Sequence, residues 1–233
     1  MKQTLAYVAV AAFFRRNGFT LGAVMLLATA LTGVACLGEK NAFTVSPRTL
    51  ERLAERFGPE ARQRLLAWQQ FIRDDTSSDP LTKLEKVNDF FNRLLFVDDI
   101  IHWGANDYWA TPTEFLAANG GDCEDFSIAK YFTLRALGIP DERLLLTYVK
   151  SLRLNQAHMV LAYYSRPDAD PLILDNLTKK IIPGSKRTDL LPVYSFNASS
   201  LWIAKQRGKG KFIGASDRLK RWRELMQRIE DDG

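Results

Sequence analysis

Gly120-Gly121-Asp122-Cys123-Glu124-Asp125-Phe126-Ser127-Ile128-Ala129-Lys130-Tyr131 is the stretch on which the reading of this chain turns. Two glycines lead into a cysteine. From there Phe126, Ala129, Lys130, Thr133, Leu134 and Leu137 recur at helical spacing until Gly138 and Pro140 stop the pattern. The thiol is therefore expected at a helix N-terminus, where unpaired N–H groups and the positive end of the helix dipole favour a thiolate and lower its pKa. Cys123 is also the only cysteine after Cys36. A cysteine on a helix is either a small core residue or a nucleophile, and the glycine lead-in favours the nucleophile.

A nucleophilic thiol needs a base within hydrogen-bond reach and a third group to orient that base. The chain has two histidines. His102 lies in an irregular segment, Ile101-His102-Trp103. His158, 35 positions after Cys123, sits in a strand-like run over residues 157–163. Asp175 follows 17 positions later, at the end of Leu172-Ile173-Leu174. On neighbouring antiparallel strands its carboxylate can accept from one imidazole nitrogen while the other faces sulfur. Taken singly, a strand histidine is commonly structural, and an aspartate beside Asn176 is commonly a turn former. Together, in this order and on these element types, Cys123, His158 and Asp175 point to a thiol-protease or transglutaminase-type triad.

Asp122, Glu124 and Asp125 surround the thiol in sequence. Acids in the first turn complement the helix dipole, but carboxylates this close oppose ionisation of a thiol. A bound divalent cation resolves that conflict, and hard oxygen ligands favour Ca²⁺. Asp107, in the preceding loop, is a candidate further ligand.

Outward from this centre, helix signals dominate the first half. Ser46-Pro47 opens a stripe of Leu50, Leu53, Ala54 and Phe57, which Gly58-Pro59 ends. Leu65, Trp68, Phe71 and Ile72 mark a second helix; Pro80 starts a third with Leu81, Leu84, Val87, Phe91 and Leu94. Residues 96–119 are aromatic-rich and lack regular periodicity. Strand patterns follow at 144–149, 157–163 and 172–175, then a last helix over 218–229. Helices first and strands later predict an α+β fold, an N-terminal helical layer packed on a small antiparallel sheet.

The net charge of +5 does not describe a nucleic-acid-binding surface. Lys2, Arg15 and Arg16 supply three of those charges, the rest of the chain carries +2, and no basic stripe is interleaved with aromatics. Arg15-Arg16 precede an uncharged run that reaches Gly38, with Gly33 and Ala35 bracketing a possible cleavage point. Residues 1–35 thus read as a signal peptide or an N-terminal membrane anchor, and residues 36–233 as one catalytic domain. A Cys36 lipoprotein is the weaker variant, because Gly33 stands where a lipobox normally has leucine. Export sharpens the reading of Cys123, since secreted proteins usually spend cysteines in pairs.

The run from Trp103 to Phe115, the run Gly121-Asp122-Cys123-Glu124-Asp125-Phe126-Ser127-Ile128-Ala129-Lys130-Tyr131, and the flanking Asn88–Asn92 and Ala157-His158-Met159-Val160 closely resemble the bacterial transglutaminase-like cysteine proteases. The resemblance covers roughly residues 45–205. It implies a papain/transglutaminase-like fold, a triad falling on Cys123, His158 and Asp175, and a Ca²⁺ site on Asp122 and Glu124 with Asp107 less firmly placed. It also implies a periplasmic location, with inner-membrane anchoring open. The implied activity is endoproteolysis of a large surface adhesin at a double-alanine site near its N-terminus, freeing the cell from a biofilm. The implied regulator is the periplasmic domain of an inner-membrane cyclic di-GMP receptor, for which Trp109 is a candidate contact if it is not core. Transglutaminase-type acyl transfer uses the same three residues, and a non-catalytic binding module in a membrane signalling complex would be expected to have lost one of them.

Overall fold

The first three helices each open on a proline. The computed structural model describes residues 44–77, 79–203 and 210–232, so the apolar N-terminal run and Cys36 lie outside the described residues. In α1 (Pro47–Phe57) the Ser46 hydroxyl accepts the Thr49 N–H at 3.1 Å, and Leu50 and Leu53 turn inward. Gly58, at φ +87°, ends α1 and opens α2 (Pro59–Asp74), whose Leu65 and Trp68 are buried. Asp79 caps α3 (Pro80–Phe91), which buries Leu84, Val87, Asn88 and Phe91.

The segment read as irregular contains more order than its periodicity suggests. After β1 (Leu95–Phe96) comes the short α4 (Asp99–His102), then α5 (Pro112–Ala118). A reciprocal cap fixes α5: the Thr111 hydroxyl accepts the Glu114 N–H at 3.1 Å, while the Glu114 carboxylate accepts the Thr111 N–H at 2.9 Å. β2 (Gly120–Gly121) pairs in parallel with β1 and delivers the chain into α6 (Cys123–Ala136).

Seven further strands form one sheet: β3 (Leu144–Ser151), β4 (Gln156–Tyr163), β5 (Leu172–Leu174), β6 (Ile182–Pro183), β7 (Leu190–Phe196), β8 (Leu201–Ile203) and β9 (Lys211–Gly214). Their order is β6-β5-β4-β3-β7-β8-β9 and every pair is antiparallel. β3 and β4 are buried along most of their length because both faces are covered. One face joins the main core with α6; on the other, Leu145, Val149, Val160, Ala162 and Ile173 form a second cluster. The last helix, α7 (Lys220–Asp232), packs Trp222 against Phe132 at 5.8 Å with nearly parallel rings. Each such fully buried side chain contributes roughly 1.5–3 kcal/mol. No helix among the described residues is long and apolar enough to cross a membrane.

The glycine pair before Cys123 is a packing requirement. A Cβ on Gly120 would fall 2.4 Å from the Leu95 carbonyl oxygen, and one on Gly121 2.1 Å from Asp125 Oδ2 and 2.9 Å from its Cβ. Gly121→Ala is expected to lower stability by about 2–3 kcal/mol through overpacking, read as a lower thermal midpoint. An unchanged midpoint would show that the loop has room the structure does not display.

Candidate active site

Three segments converge on the N-terminus of α6. Asp122 is its N-cap and accepts the Glu124 N–H at 3.1 Å. Asp125 completes the box: its Oδ2 accepts the Asp122 N–H at 3.3 Å and its Oδ1 the Ala110 N–H at 2.7 Å. One fully buried carboxylate thus ties the aromatic loop to the turn before the thiol. Along the same helix face, Ser127 donates to the Met159 carbonyl of β4 at 3.1 Å. The Met159 backbone also acts on the thiol of Cys123, one turn earlier, and favours its ionised form. The thiol therefore lies beside the strand that carries His158.

His158 is buried, and its Nε2 lies 2.9 Å from Asp175 Oδ1. The antiparallel register of β4 and β5 (Leu161 opposite Leu174) brings the two together, as expected from neighbouring strands. With Nε2 spent on the carboxylate, Nδ1 is the nitrogen left for the thiol. Asp175 Oδ1 also accepts the Leu177 N–H at 3.0 Å, and Oδ2 accepts Arg187 Nη2 at 2.8 Å. Burial alone would raise this carboxyl, but the bonds from His158, Leu177 and Arg187 outweigh it and hold it at about 2.

The thiol departs from the sequence expectation. Its S–H donates to Glu124 Oε2 at 2.8 Å rather than to the imidazole. Burial, then the charges of Glu124 and Asp122, push the Cys123 thiol well above its ordinary value; the Met159 backbone bond opposes them too weakly. Four acids crowd this end of the helix, and that crowding overrides the dipole. Asp122 is pushed up to about 10 by burial and then by Glu124 and Asp125; burial carries Asp99 to about 6.

Two sets of ligand atoms lie within 4.8 Å of one another: Asp122, Cys123 and Glu124, and Asp99, Asp122 and Asp125. Asp99 Oδ1 is buried with no hydrogen-bond partner. Clustered carboxylates with an orphaned buried oxygen among them are a donor set that fits a hard divalent ion. Asp107 falls outside both sets. Its Oδ2 pairs with Arg221 at 3.2 Å, and its Oδ1 accepts the Trp109 indole N–H at 3.0 Å.

Trp109 itself is core: it is 5% exposed and stacks on Phe196 at 5.6 Å. His102, in α4, lies edge-on to Trp103 and has no bond to the thiol. Asp99 and Arg187 carried no sequence signal. The acid belongs to a short helix without periodicity, and the arginine to a turn far from the motif.

Beneath the site Lys130 is fully buried and points at amide oxygens, not at a carboxylate. Its Nζ donates to Asn88 Oδ1 at 2.9 Å and Asn92 Oδ1 at 2.7 Å. Asn92 in turn donates to the Asp175 carbonyl at 2.9 Å, and Asn88 to the Lys179 carbonyl at 3.0 Å. Burial lowers the lysine from 10.5 to about 7, with Asp175 pulling the other way. Unfolding between those values takes up a proton, so this group makes stability rise with pH there. The urea midpoint is expected to climb less steeply between about pH 7 and 9 in Lys130→Met than in the parent chain. Parallel slopes would mean the buried amine stays charged.

A thiol on a helix N-terminus, a strand histidine and a buried aspartate define the class of cysteine hydrolases and acyl transferases built on helix-and-sheet cores. The model of the bacterial transglutaminase-like cysteine proteinases matches residues 65–205, and the chain belongs to that family. Three solved structures of Legionella pneumophila LapG are each 46% identical and cover 79% of this chain. The EGTA-treated form has a TM-score of 0.69 with 98% of its chain covered. The calcium-bound form has a TM-score of 0.67 with 99% covered. No curated protein sequence matched at a significant level.

Proposed function

We propose that this chain is a calcium-dependent cysteine endopeptidase of the periplasm in which Cys123 is the nucleophile, His158 the base and Asp175 its orienting acid. The observation that carries the reading is the buried His158–Asp175 pair on the strand residue next to Met159, whose backbone meets the thiol. Cys123 loses its proton to His158 and attacks the scissile carbonyl; His158 then protonates the leaving amine, and water resolves the thioester. The Cys123 N–H, free at the helix start, is a donor for the oxyanion. Asp175 holds the ring through Nε2 and leaves Nδ1 to take the thiol proton.

Asp122 and Glu124, with Asp99 on the second edge of the cluster, would hold Ca²⁺. When bound, the ion supplies positive charge that offsets the carboxylates around the thiol. Support for calcium comes from the calcium-bound and EGTA-treated LapG structures, each 46% identical to this chain. The substrate reading is a large surface adhesin, cleaved at an Ala-Ala bond near its N-terminus to disperse a biofilm. The regulator reading is the periplasmic domain of an inner-membrane cyclic di-GMP receptor. Both rest on the family resemblance.

The test incubates the purified protein with the N-terminal fragment of the large adhesin from the same cell, with and without EGTA, and maps the cut by mass spectrometry. Cleavage between two alanines that EGTA stops and Ca²⁺ restores is the expected result. Incorporation of a labelled amine into glutamine side chains without cleavage would make the chain a transferase. Binding with neither reaction would make it a non-catalytic module.

A further inference from the structure

We propose that Arg187 is a positioning residue of this site: by pairing with the outer oxygen of Asp175 it fixes the carboxylate for His158 and limits the negative charge that the imidazole feels. The inference rests on the His158–Asp175 couple acting as described above. Asp175 is 1% exposed and Arg187 8%. Between them they leave the carboxylate no freedom: Oδ1 is taken by His158 and the Leu177 N–H, Oδ2 by Arg187 Nη2 at 2.8 Å.

The guanidinium is itself held from a second side. Its Nε and Nη2 donate to the two oxygens of Asp189, both at 2.9 Å, a fork that sets the plane of the group and that a lysine cannot reproduce. The turn that carries it is tied to the strand that carries Asp175. Gly184 N–H donates to the Pro171 carbonyl at 2.7 Å, and Arg187 N–H to the Gly184 carbonyl at 3.0 Å. Arg187 Nη1 is buried with no partner. Position is therefore dictated by the two carboxylates, one of them Asp175, rather than by full satisfaction of the arginine.

The consequence is electrostatic. A bare buried carboxylate would hold a proton on the neighbouring imidazole strongly. A permanent cation on its far oxygen shares that charge and weakens the hold. The charged groups facing Asp175 are His158 from β4, Arg187 from the turn before β7 with Asp189 on its outer edge, and Lys130 from α6 through Asn92. Among them Arg187 alone has its cationic group in contact with the carboxylate throughout the working pH range.

His158 is one of two histidines, so its ring titration can be followed by NMR, with His102 as internal reference. In a Cys123→Ala background, Arg187→Met is expected to move the His158 midpoint up by about one pH unit. Arg187→Lys, which keeps the charge and loses the fork, should leave the midpoint nearly in place. In the active chain, Arg187→Met should carry the limb of kcat/KM that reports the imidazole upward in the same direction. Arg187→Lys should lower kcat about tenfold with KM nearly unchanged, the cost of a looser dyad. Should Arg187→Met fail to fold, Arg187→Gln carries the charge test. A folded neutral variant whose His158 midpoint stays with the parent overturns the proposal, as does full kcat in Arg187→Lys. Cleavage retained by Cys123→Ala would instead sink the proposed function, which the ring titration does not depend on.

Discussion

Cys123→Ala is expected to leave a folded protein whose kcat/KM for the proposed adhesin cleavage is down by at least about ten-thousand-fold, the size of effect seen when a member of a catalytic unit is deleted. The fold survives because the sulfur's one side-chain bond, to its neighbour Glu124, anchors no other element. The cap of α6 is made by Asp122 and Asp125, the anchor to β4 by Ser127, and the glycine pair is packed against Leu95 and Asp125. Alanine keeps helix propensity at that position, and its stability cost should stay within about 1 kcal/mol. Chemistry does not survive, because the described residues offer no second nucleophile there. Ser127, the next hydroxyl on that face, is committed to the Met159 carbonyl. Cys123→Ser should be nearly as inactive, since His158–Asp175 would have to activate an alcohol far less acidic than a thiol. The check is cleavage of the adhesin fragment over hours at high enzyme concentration, with thermal melting to show that each variant is folded. Cleavage by Cys123→Ala above background would remove the thiol from the mechanism.

The family, and the helix that opens at Cys123, were legible because their signals are local. Gly120-Gly121 before a cysteine, and a helical stripe after it, depend only on backbone sterics and short-range periodicity, and α6 begins at Cys123 itself. Lys130 was legible as a position on the buried face, though not as an amine held by Asn88 and Asn92, because those partners lie 42 and 38 positions away. The helices α1 to α3 followed from caps and prolines. Residues 96–119 misled because α4 and α5 are too short to display a period; the Thr111-Pro112-Thr113-Glu114 capping box was the signal to be found there. β6 to β9 went unread for a related reason: they are two to seven residues long, and β7 carries Pro192. Most of all, the direction of the thiol's shift is a three-dimensional property. Sequence places Asp122 and Glu124 near the sulfur, but only the fold supplies the burial that is the largest cause of the shift.

The acid cluster makes removal of calcium the second large effect. EGTA is expected to lower kcat/KM at least about a hundredfold and to slow alkylation of Cys123 by iodoacetamide, with Ca²⁺ restoring both. The sign follows from the charges around the sulfur. There burial, Glu124 and Asp122 hold the thiol protonated well above its ordinary range, and its hydrogen is given to Glu124 instead of His158. Neutralising the carboxylates removes the repulsion and frees the thiol to face the base. Mg²⁺ should restore less, because it demands a near-octahedral shell that a crowded cluster of this kind does not offer. Two variants separate charge from structure. Asparagine caps helices about as well as aspartate, so Asp122→Asn keeps α6 while weakening the ion site. Glu124→Gln removes the nearest charge from the sulfur. Its thiol should alkylate faster than that of the EGTA-treated parent, yet respond little to Ca²⁺. Cleavage and alkylation indifferent to EGTA in the parent chain would reduce Asp122 and Glu124 to caps of the helix dipole. An EGTA effect that persists undiminished in both variants would move the ion away from Cys123 altogether.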